Sequence, residues 1–144
     1  MSMDKKIGPD HYRYITMINE DGAFICCERF IVVGETPYFY YVVSDSYHGY
    51  LQCLSPDARQ DAIKRNRKRV SKDGYRRYCY PDKGLALKSL VARQRHRIHH
   101  AKLNLSAGRL AMAEAERMLE AGHIPGDDAH PCGSDEFIES LVWE

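Results

Sequence analysis

The sequence predicts an α+β protein, with an N-terminal antiparallel β-sheet of about four to five strands followed by one long C-terminal helix. Three observations lead to this fold class. Residues 12–44 contain aromatic and β-branched runs separated by turn signals. Residues 82–121, between Pro81 and Pro125, carry apolar residues at every seventh position. The length of 144 residues and the 44% hydrophobic content suit one domain with its own core.

The strands and a short helix are expected in residues 1–81. Strands are predicted at 12–18, 23–33 and 38–44, with turns at Asp21-Gly22 and Gly34-Pro37 between them. The third run is apolar on both faces, which favours a central or helix-covered strand. Residues 45–55 are expected to form a loop, and a serine followed by proline predicts a helix over 56–66. Residues 68–80 are expected to form a basic hairpin that ends at the next proline.

A coiled-coil-like helix is predicted over 82–121, capped by Asp82 and ended by Gly122. Its large and small residues repeat in sevens, which is typical of a helix that pairs with another helix, and we expect a homodimer. A break at residues 106–108, giving a helical hairpin, is the alternative. The remaining residues, 122–144, form an acidic tail with a last helical turn expected over 136–143. The predicted seam consists of Leu87, Val91, Ile98, Ala101, Leu105, Gly108, Met112, Ala115 and Leu119.

The near-neutral total charge of +1 conceals three blocks of different sign. Residues 64–109 hold fifteen Lys and Arg against two acidic residues, a net charge of +13. Residues 1–63 have a net charge of −4, from five basic and nine acidic residues, and residues 110–144 have −8, from one and nine. Such a pattern defines an electrostatic surface rather than a fold.

The basic block also contains tyrosines, and this combination is the strongest functional signal in the sequence. Clustered cations bind phosphates, and aromatic faces among them can stack on bases. Four alternatives stay open: a solvated surface whose charges protect a sheet edge, a surface neutralised by the acidic tail, an antiparallel coiled coil that pairs the acidic and basic halves of two subunits, and a surface for an acidic protein. The candidate partner or polyanion contacts are Arg65, Arg67, Lys68, Arg69, Lys72, Tyr75, Arg76, Arg77, Tyr78, Arg93 and Arg97.

Other chemistry has little support in the sequence. His96 shares a helix face with His99 or His100, but three arginines crowd the same turn, and we expect a pH-sensitive polar face rather than a metal site. The phosphate-binding, dinucleotide-binding, serine-hydrolase and zinc-protease motifs are missing. We therefore expect a protein that is not an enzyme, with no catalytic residues, no cofactor and no metal.

The composition of the chain indicates the cellular compartment of the protein. No run of 18 or more apolar residues is present, and the polar first ten residues do not look like a signal peptide. The five cysteines lack C-x₂-C spacing, and their odd number argues against a closed disulfide framework. We expect a cytoplasmic protein that does not bind membranes.

The junction between the basic region and the long helix resembles small accessory proteins of phages and prophages. It comprises Lys68-Arg-Val-Ser-Lys72, Tyr75-Arg-Arg-Tyr-Cys-Tyr-Pro81 and Arg93-Gln-Arg-His-Arg-Ile98. The resemblance covers about a third of the chain and carries over no functional residue. It implies a virus-encoded protein in the host cytoplasm that acts by binding. Some proteins of this kind blunt bacterial immunity by masking a nuclease complex or by sequestering a nucleotide signal.

Three functional hypotheses follow. The first is a non-enzymatic binding protein that inhibits or modulates a host defence or regulatory complex, either a protein or a nucleoprotein. The second is a nucleic-acid-binding module that uses the basic region 64–97. The third is a protein that sequesters a cyclic or phosphorylated nucleotide in a pocket between subunits.

Overall fold

The computed structural model describes residues 6–74 and 76–141 and confirms the α+β fold, with an antiparallel sheet followed by one long helix. The chain divides into two compact units, one ending at Ala92 and one beginning at Arg93. Among the helices of the described residues, none is both long and apolar enough to cross a membrane. The elements in chain order are β1 (His11–Asn19), β2 (Gly22–Glu35), β3 (Phe39–Ser44), α1 (Asp45–Leu51), α2 (Pro56–Asn66), β4 (Lys68–Ser71), α3 (Lys83–Ala121) and α4 (Glu136–Ser140).

The sheet has the order β1-β2-β3-β4, and all its neighbouring strands are antiparallel. The predicted turn between the first two strands is present, with Gly22 at φ 130° and the Asn19 side chain accepting a hydrogen bond from the Asp21 amide at 2.8 Å. β1 pairs with β2 along its whole length, whereas β3 pairs only with residues 30–35 of β2. Residues 13–28 therefore form a two-stranded ribbon, which we call the hairpin arm.

The predicted hairpin over residues 68–80 is wrong. β4 pairs with β3 instead, with Val70 opposite Tyr40, and residues 76–80 form no strand. Tyr80 makes two backbone hydrogen bonds, of 2.6 and 3.0 Å, to Tyr12 on the free edge of β1. Pairing with β3 buries Val70 completely in the core, and this burial outweighs the local turn signal at Gly74. The chain thus returns from one sheet edge to the other, and the sheet curls around its core.

Two clusters of buried residues lie on opposite faces of the sheet. The first contains Phe30, Val32, Val42, Val70 and Cys79. The second contains Val43 of β3, Leu51 of α1 and Ala62 of α2. Because successive residues of a strand point to opposite faces, β3 contributes to both clusters. β3 lies between β2 and β4 and packs against α1 and α2, so the prediction of a central or helix-covered third strand is confirmed.

The expected loop over residues 45–55 is wrong at its start, because α1 occupies Asp45–Leu51. The Ser44 side chain accepts a hydrogen bond from the Tyr47 amide at 3.2 Å and so caps this helix. A helix of seven residues is too short to show a hydrophobic periodicity in the sequence. α1 is stabilised because Leu51 is buried against the sheet. The second short helix is confirmed over Pro56–Asn66, and the Ser55 hydroxyl accepts from the Ala58 amide at 3.3 Å.

The long helix is continuous from Lys83 to Ala121, so the alternative of a break at residues 106–108 is wrong. The predicted cap is present, since the Asp82 Oδ1 accepts a hydrogen bond from the Leu85 amide at 3.0 Å. At the other end Gly122 adopts φ +68°, and the His123 amide donates to the Met118 carbonyl at 3.0 Å. This arrangement is the left-handed glycine stop that the sequence predicted. The helix is about 58 Å long.

In the second unit the acidic tail runs back along α3. His130 lies 3.0 Å from the Glu114 carboxylate, and the ring of Phe137 lies 5.4 Å from the ring of His99. His99 precedes Glu114 by about four turns of α3. The last predicted helical turn is present as α4, capped by Asp135, which accepts from the Ile138 amide at 2.9 Å. Trp143, at the end of the predicted turn, lies outside the described residues.

Candidate polyanion-binding surface

The basic residues of the first unit concentrate on β4, which forms an edge of the sheet. Arg67 immediately precedes this strand, Lys68 and Arg69 begin it, and Lys72 follows it. Alternation along a strand places Lys68 on the face of Val70 and Arg69 on the opposite face. We use the name basic edge for Arg67, Lys68, Arg69 and Lys72 together with Arg13 of β1. Arg13 belongs to this group because it contacts the same tyrosine ring, Tyr78, as Lys68 does.

Each cation of the basic edge lies over an aromatic ring. The Arg67 guanidinium is 3.8 Å from the centroid of Tyr41, and that of Arg69 is 4.5 Å from Phe39. The Lys72 ammonium is 4.7 Å from the centroid of Tyr40. Such contacts stabilise by about 0.5–1 kcal/mol when exposed and fix the position of the cation. Because ring contacts leave N–H groups available, these cations keep the capacity to donate to an anion.

Tyr78 brings together two cations that are far apart in the sequence. The Arg13 guanidinium lies 4.2 Å and the Lys68 ammonium 4.0 Å from the centroid of its ring, so the two charges are at most about 8 Å apart. Arg13 also donates a 2.7 Å hydrogen bond to the Tyr78 carbonyl, and Phe30 meets the ring edge-to-face at 5.4 Å. Sequence reasoning did not identify Arg13, because no local pattern links it to residues 68–78.

The positive charge of the basic edge is largely uncompensated. Of the five cations of the basic edge, only Lys72 forms an ion pair with a described carboxylate, Glu35 at 2.8 Å. Arg67, Lys68 and Arg69 are exposed and contact rings rather than acids. Four like charges at one edge raise the local potential and attract a polyanion.

Cations of the chain itself contact the ring of Tyr78, one of the tyrosines of the basic block. Base stacking by these tyrosines stays a prediction. Tyr80 is similarly covered by Arg77 at 5.4 Å, and it is buried. The surface therefore presents cations held in place by rings, an arrangement suited to phosphate groups.

The structure places the remaining predicted contacts around or away from this edge. Arg65 is exposed in the last turn of α2, and Arg76 is exposed beyond Gly74. Arg77 donates its Nε–H to the Gly74 carbonyl at 3.0 Å. Tyr75 lies outside the described residues, and Arg93 and Arg97 lie on α3 in the second unit. The seam residues of α3 are all exposed.

Two histidines of α3, His96 and His100, contact each other. The Nε2 atoms of His96 and His100 are 3.0 Å apart, one turn from each other on the exposed helix surface. In the described part of the chain, no group of three or more His, Cys, Asp or Glu side chains is arranged to hold a metal ion.

A cavity of about 520 Å³ lies in the first unit and is lined by the basic residues Lys6, Arg29, Arg59 and His48 above apolar residues of β2, α1 and α2. Its arginines have internal partners: Arg29 pairs with Asp45 at 3.0 Å, and the Arg59 Nε donates to the Leu51 carbonyl at 3.0 Å. These bonds hold α1 and α2 in place. They leave the cavity fewer free donors for a nucleotide than the basic edge offers.

Two buried side chains have shifted pKa values. Burial raises the pKa of the Cys79 thiol to about 12, which keeps it protonated and makes it a poor nucleophile. Burial lowers the pKa of His11, whose Nδ1 lies 2.8 Å from the Pro9 carbonyl and whose ring meets Tyr40 edge-to-face. Both groups belong to the core.

No protein-family model matches the chain, and neither curated proteins nor solved structures give a match.

Proposed function

We propose that this protein binds the phosphate backbone of a nucleic acid through the basic edge, with little preference for sequence. The observation that carries the proposal is the set of four cations, Arg13, Arg67, Lys68 and Arg69, which aromatic rings position and which form no ion pair with a described carboxylate, although Glu28 lies opposite Arg13 across the ribbon. Phosphate contacts of this kind supply affinity without reading bases. We further propose that it acts in the cytosol, where its five free cysteines would stay reduced.

Salt dependence tests this proposal. Four phosphate contacts give a log–log slope of roughly −2.8 for a single strand to −3.6 for a duplex, so affinity for a 20-nucleotide strand or duplex should fall roughly 50- to 150-fold between 50 and 200 mM salt. Fluorescence anisotropy with a labelled oligonucleotide measures this fall. Oligonucleotides of different sequence and equal length should bind within a few-fold of each other.

A matched set of variants locates the surface. Replacing Lys68 and Arg69 together with glutamine should reduce the slope by roughly 1.5–2 and weaken binding to every sequence. The control is Lys88→Gln, which removes one exposed cation of α3 that has no ring or carboxylate partner among the described residues. Binding that ignores salt, absent binding at 50 mM salt, or a control as damaging as the double variant would each refute the proposal.

A second function, binding of a protein, is favoured by the hairpin arm. Its cross-strand pair Met17 and Phe24 lies on one face, with 51% and 44% of these side chains exposed, and Ile18 and Ile25 lie on the other, with 73% and 62% exposed. A two-stranded ribbon is marginally stable alone in water, and exposed apolar patches of this kind often mark interaction sites. A partner with an apolar surface would cover the arm.

The host complex named in the first hypothesis from sequence stays a prediction, and the arm provides its test. Pull-downs from host lysate compare the tagged wild-type protein with a tagged variant that carries both Ile18→Thr and Ile25→Thr. Threonine keeps β-branched residues in the ribbon. A protein retained by the first and lost by the second supports the arm as a binding surface. Recovery of nucleic acid alone by both would exclude this second function and leave the basic edge as the binding site.

A further inference from the structure

The second unit leaves one apolar row of α3 uncovered. Ile98, Leu105, Met112 and Leu119 follow one another at intervals of seven residues, and between 53% and 70% of each residue is exposed. The tail contacts a different part of the helix, through the His99 and Glu114 positions. At about 100° per residue, this covered face is roughly 150° around the helix from the apolar row.

A row of small residues runs beside the large ones. Ala101, Gly108 and Ala115 each follow a large residue of the row by three positions. A Cβ placed at Gly108 would meet nothing within 4 Å, so no described residue requires a glycine at this position. A glycine inside a helix costs about 1 kcal/mol relative to alanine. Its presence without an internal reason indicates that something outside the chain approaches the helix closely at this position.

We propose that a second copy of this chain occupies the row, with the two α3 helices antiparallel and related by a two-fold axis between Ser106 and Ala107. In that register Leu105 lies opposite Gly108 of the other copy, Ile98 opposite Ala115, and Met112 opposite Ala101. Every large side chain meets a small one, so the helices approach closely without voids. A parallel pair would place large against large and glycine against glycine.

The charges of the helix select the same orientation. Residues 93–107 carry four basic and no acidic residues, a net charge of +4, whereas residues 108–121 carry two basic and three acidic residues, a net charge of −1. A parallel pair brings +4 against +4, and an antiparallel pair brings +4 against −1. At the flank of the antiparallel seam Arg95 faces Glu116 of the other copy. The same register places Lys102 beside Arg109 of the other copy, which is unfavourable.

These contacts can be tested by swapping charges in the full chain. Sedimentation equilibrium without nucleic acid measures the dimer dissociation constant of each variant. Arg95→Glu and Glu116→Arg should each raise the dimer dissociation constant on the order of 3- to 10-fold, and the double variant should restore it. Arg109→Glu should tighten the dimer, because it turns the repulsion by Lys102 into attraction. In a parallel pair Arg95 and Glu116 would lie beside Leu90 and Ala111, so the double variant would show no rescue.

A steric variant gives an independent test. Gly108→Leu fills the space that the second helix needs, yet leucine is a better helix former than glycine, so the monomer stays folded and circular dichroism verifies its helix content. It should abolish the dimer, whereas Ala113→Leu, an exposed position about 100° away from the row, should leave it intact. A wild-type chain that remains monomeric at the highest concentration, or a Gly108→Leu chain that still dimerises, overturns the proposal. Since these measurements contain no nucleic acid, they succeed or fail independently of the basic edge.

Discussion

Replacing Tyr78 with leucine tests both the closure of the sheet and the placement of the basic edge. The ring of Tyr78 contacts the cations of Arg13 and Lys68 and meets Phe30 edge-to-face. Leucine keeps an apolar side chain of similar size at this half-buried position but cannot make any of these ring contacts. The variant therefore removes the ring contacts between residues 76–80 and the rest of the sheet, while the backbone hydrogen bonds between Tyr80 and Tyr12 remain.

The magnitude follows from those three contacts. Each cation–π contact contributes about 0.5–1 kcal/mol, and the edge-to-face pair contributes about 0.5–1.5 kcal/mol. The free energy of unfolding of the first unit should fall by about 2 kcal/mol. For a unit of 92 residues, that loss corresponds to a decrease in Tm of roughly 8–16 °C.

Thermal and urea unfolding of the full chain, followed by circular dichroism, provide the measurement. The matched control is Tyr78→Phe, which keeps the ring, and the Tyr78 hydroxyl has no hydrogen bond to any described residue. The control should stay within about 0.5 kcal/mol of the wild type. If the leucine and phenylalanine variants unfold at the same temperature, the ring contacts contribute nothing and the reasoning is refuted.

Three further predictions concern single side chains. Cys79, with its pKa raised to about 12, should resist a thiol reagent at pH 8 while the three exposed cysteines react; rapid loss of all five thiols would contradict its burial. The Glu114 pKa is lowered from 4.5 to about 2, mainly by hydrogen bonds from Arg117 and then His130, so its stabilising contribution is present above pH 4.5 and is lost as the pH falls through about 2. At pH 7.5, Glu114→Gln should accelerate chymotryptic cleavage after Phe137, and Glu120→Gln, an exposed control, should not. Because burial lowers the pKa of His11, the unfolded chain takes up the proton first, and unfolding by urea should become easier as the pH falls below 6.5. A His11→Phe variant should show a smaller pH effect, and an equal one would exclude His11 as its source.

The signals that the sequence carries strongly are those whose physical cause is local. Asp82 and Gly122 mark the ends of α3 because a side-chain cap and a left-handed glycine satisfy backbone groups within a few residues. The turn at Asp21-Gly22 and the cap at Ser55 are local in the same way. Each of these is present where the sequence predicted it.

The errors arise where distant contacts decide. Residues 68–80 have the composition of a hairpin, but burying Val70 beside Val42 is more favourable than pairing with their own neighbours. α1 is too short for a periodic signal, and its formation depends on Leu51 reaching the sheet. Neither outcome has a periodic signal in the sequence: Val42 lies 28 positions from Val70, and Leu51 is buried with Val43 and Ala62 of two other elements.

Some properties of the basic block and of α3 follow from the sequence, and others follow only from the tertiary structure. Sequence alone determined that cations and tyrosines concentrate in residues 64–97 and that α3 repeats in sevens, because composition and spacing are properties of the chain itself. Tertiary structure decided that Arg13 joins Lys68 on one ring. It also decided which face of α3 the tail covers, and hence that the apolar row is left open. The reason is physical: Coulomb and ring contacts depend on separation in space, and only the curled sheet and the returning tail set those separations.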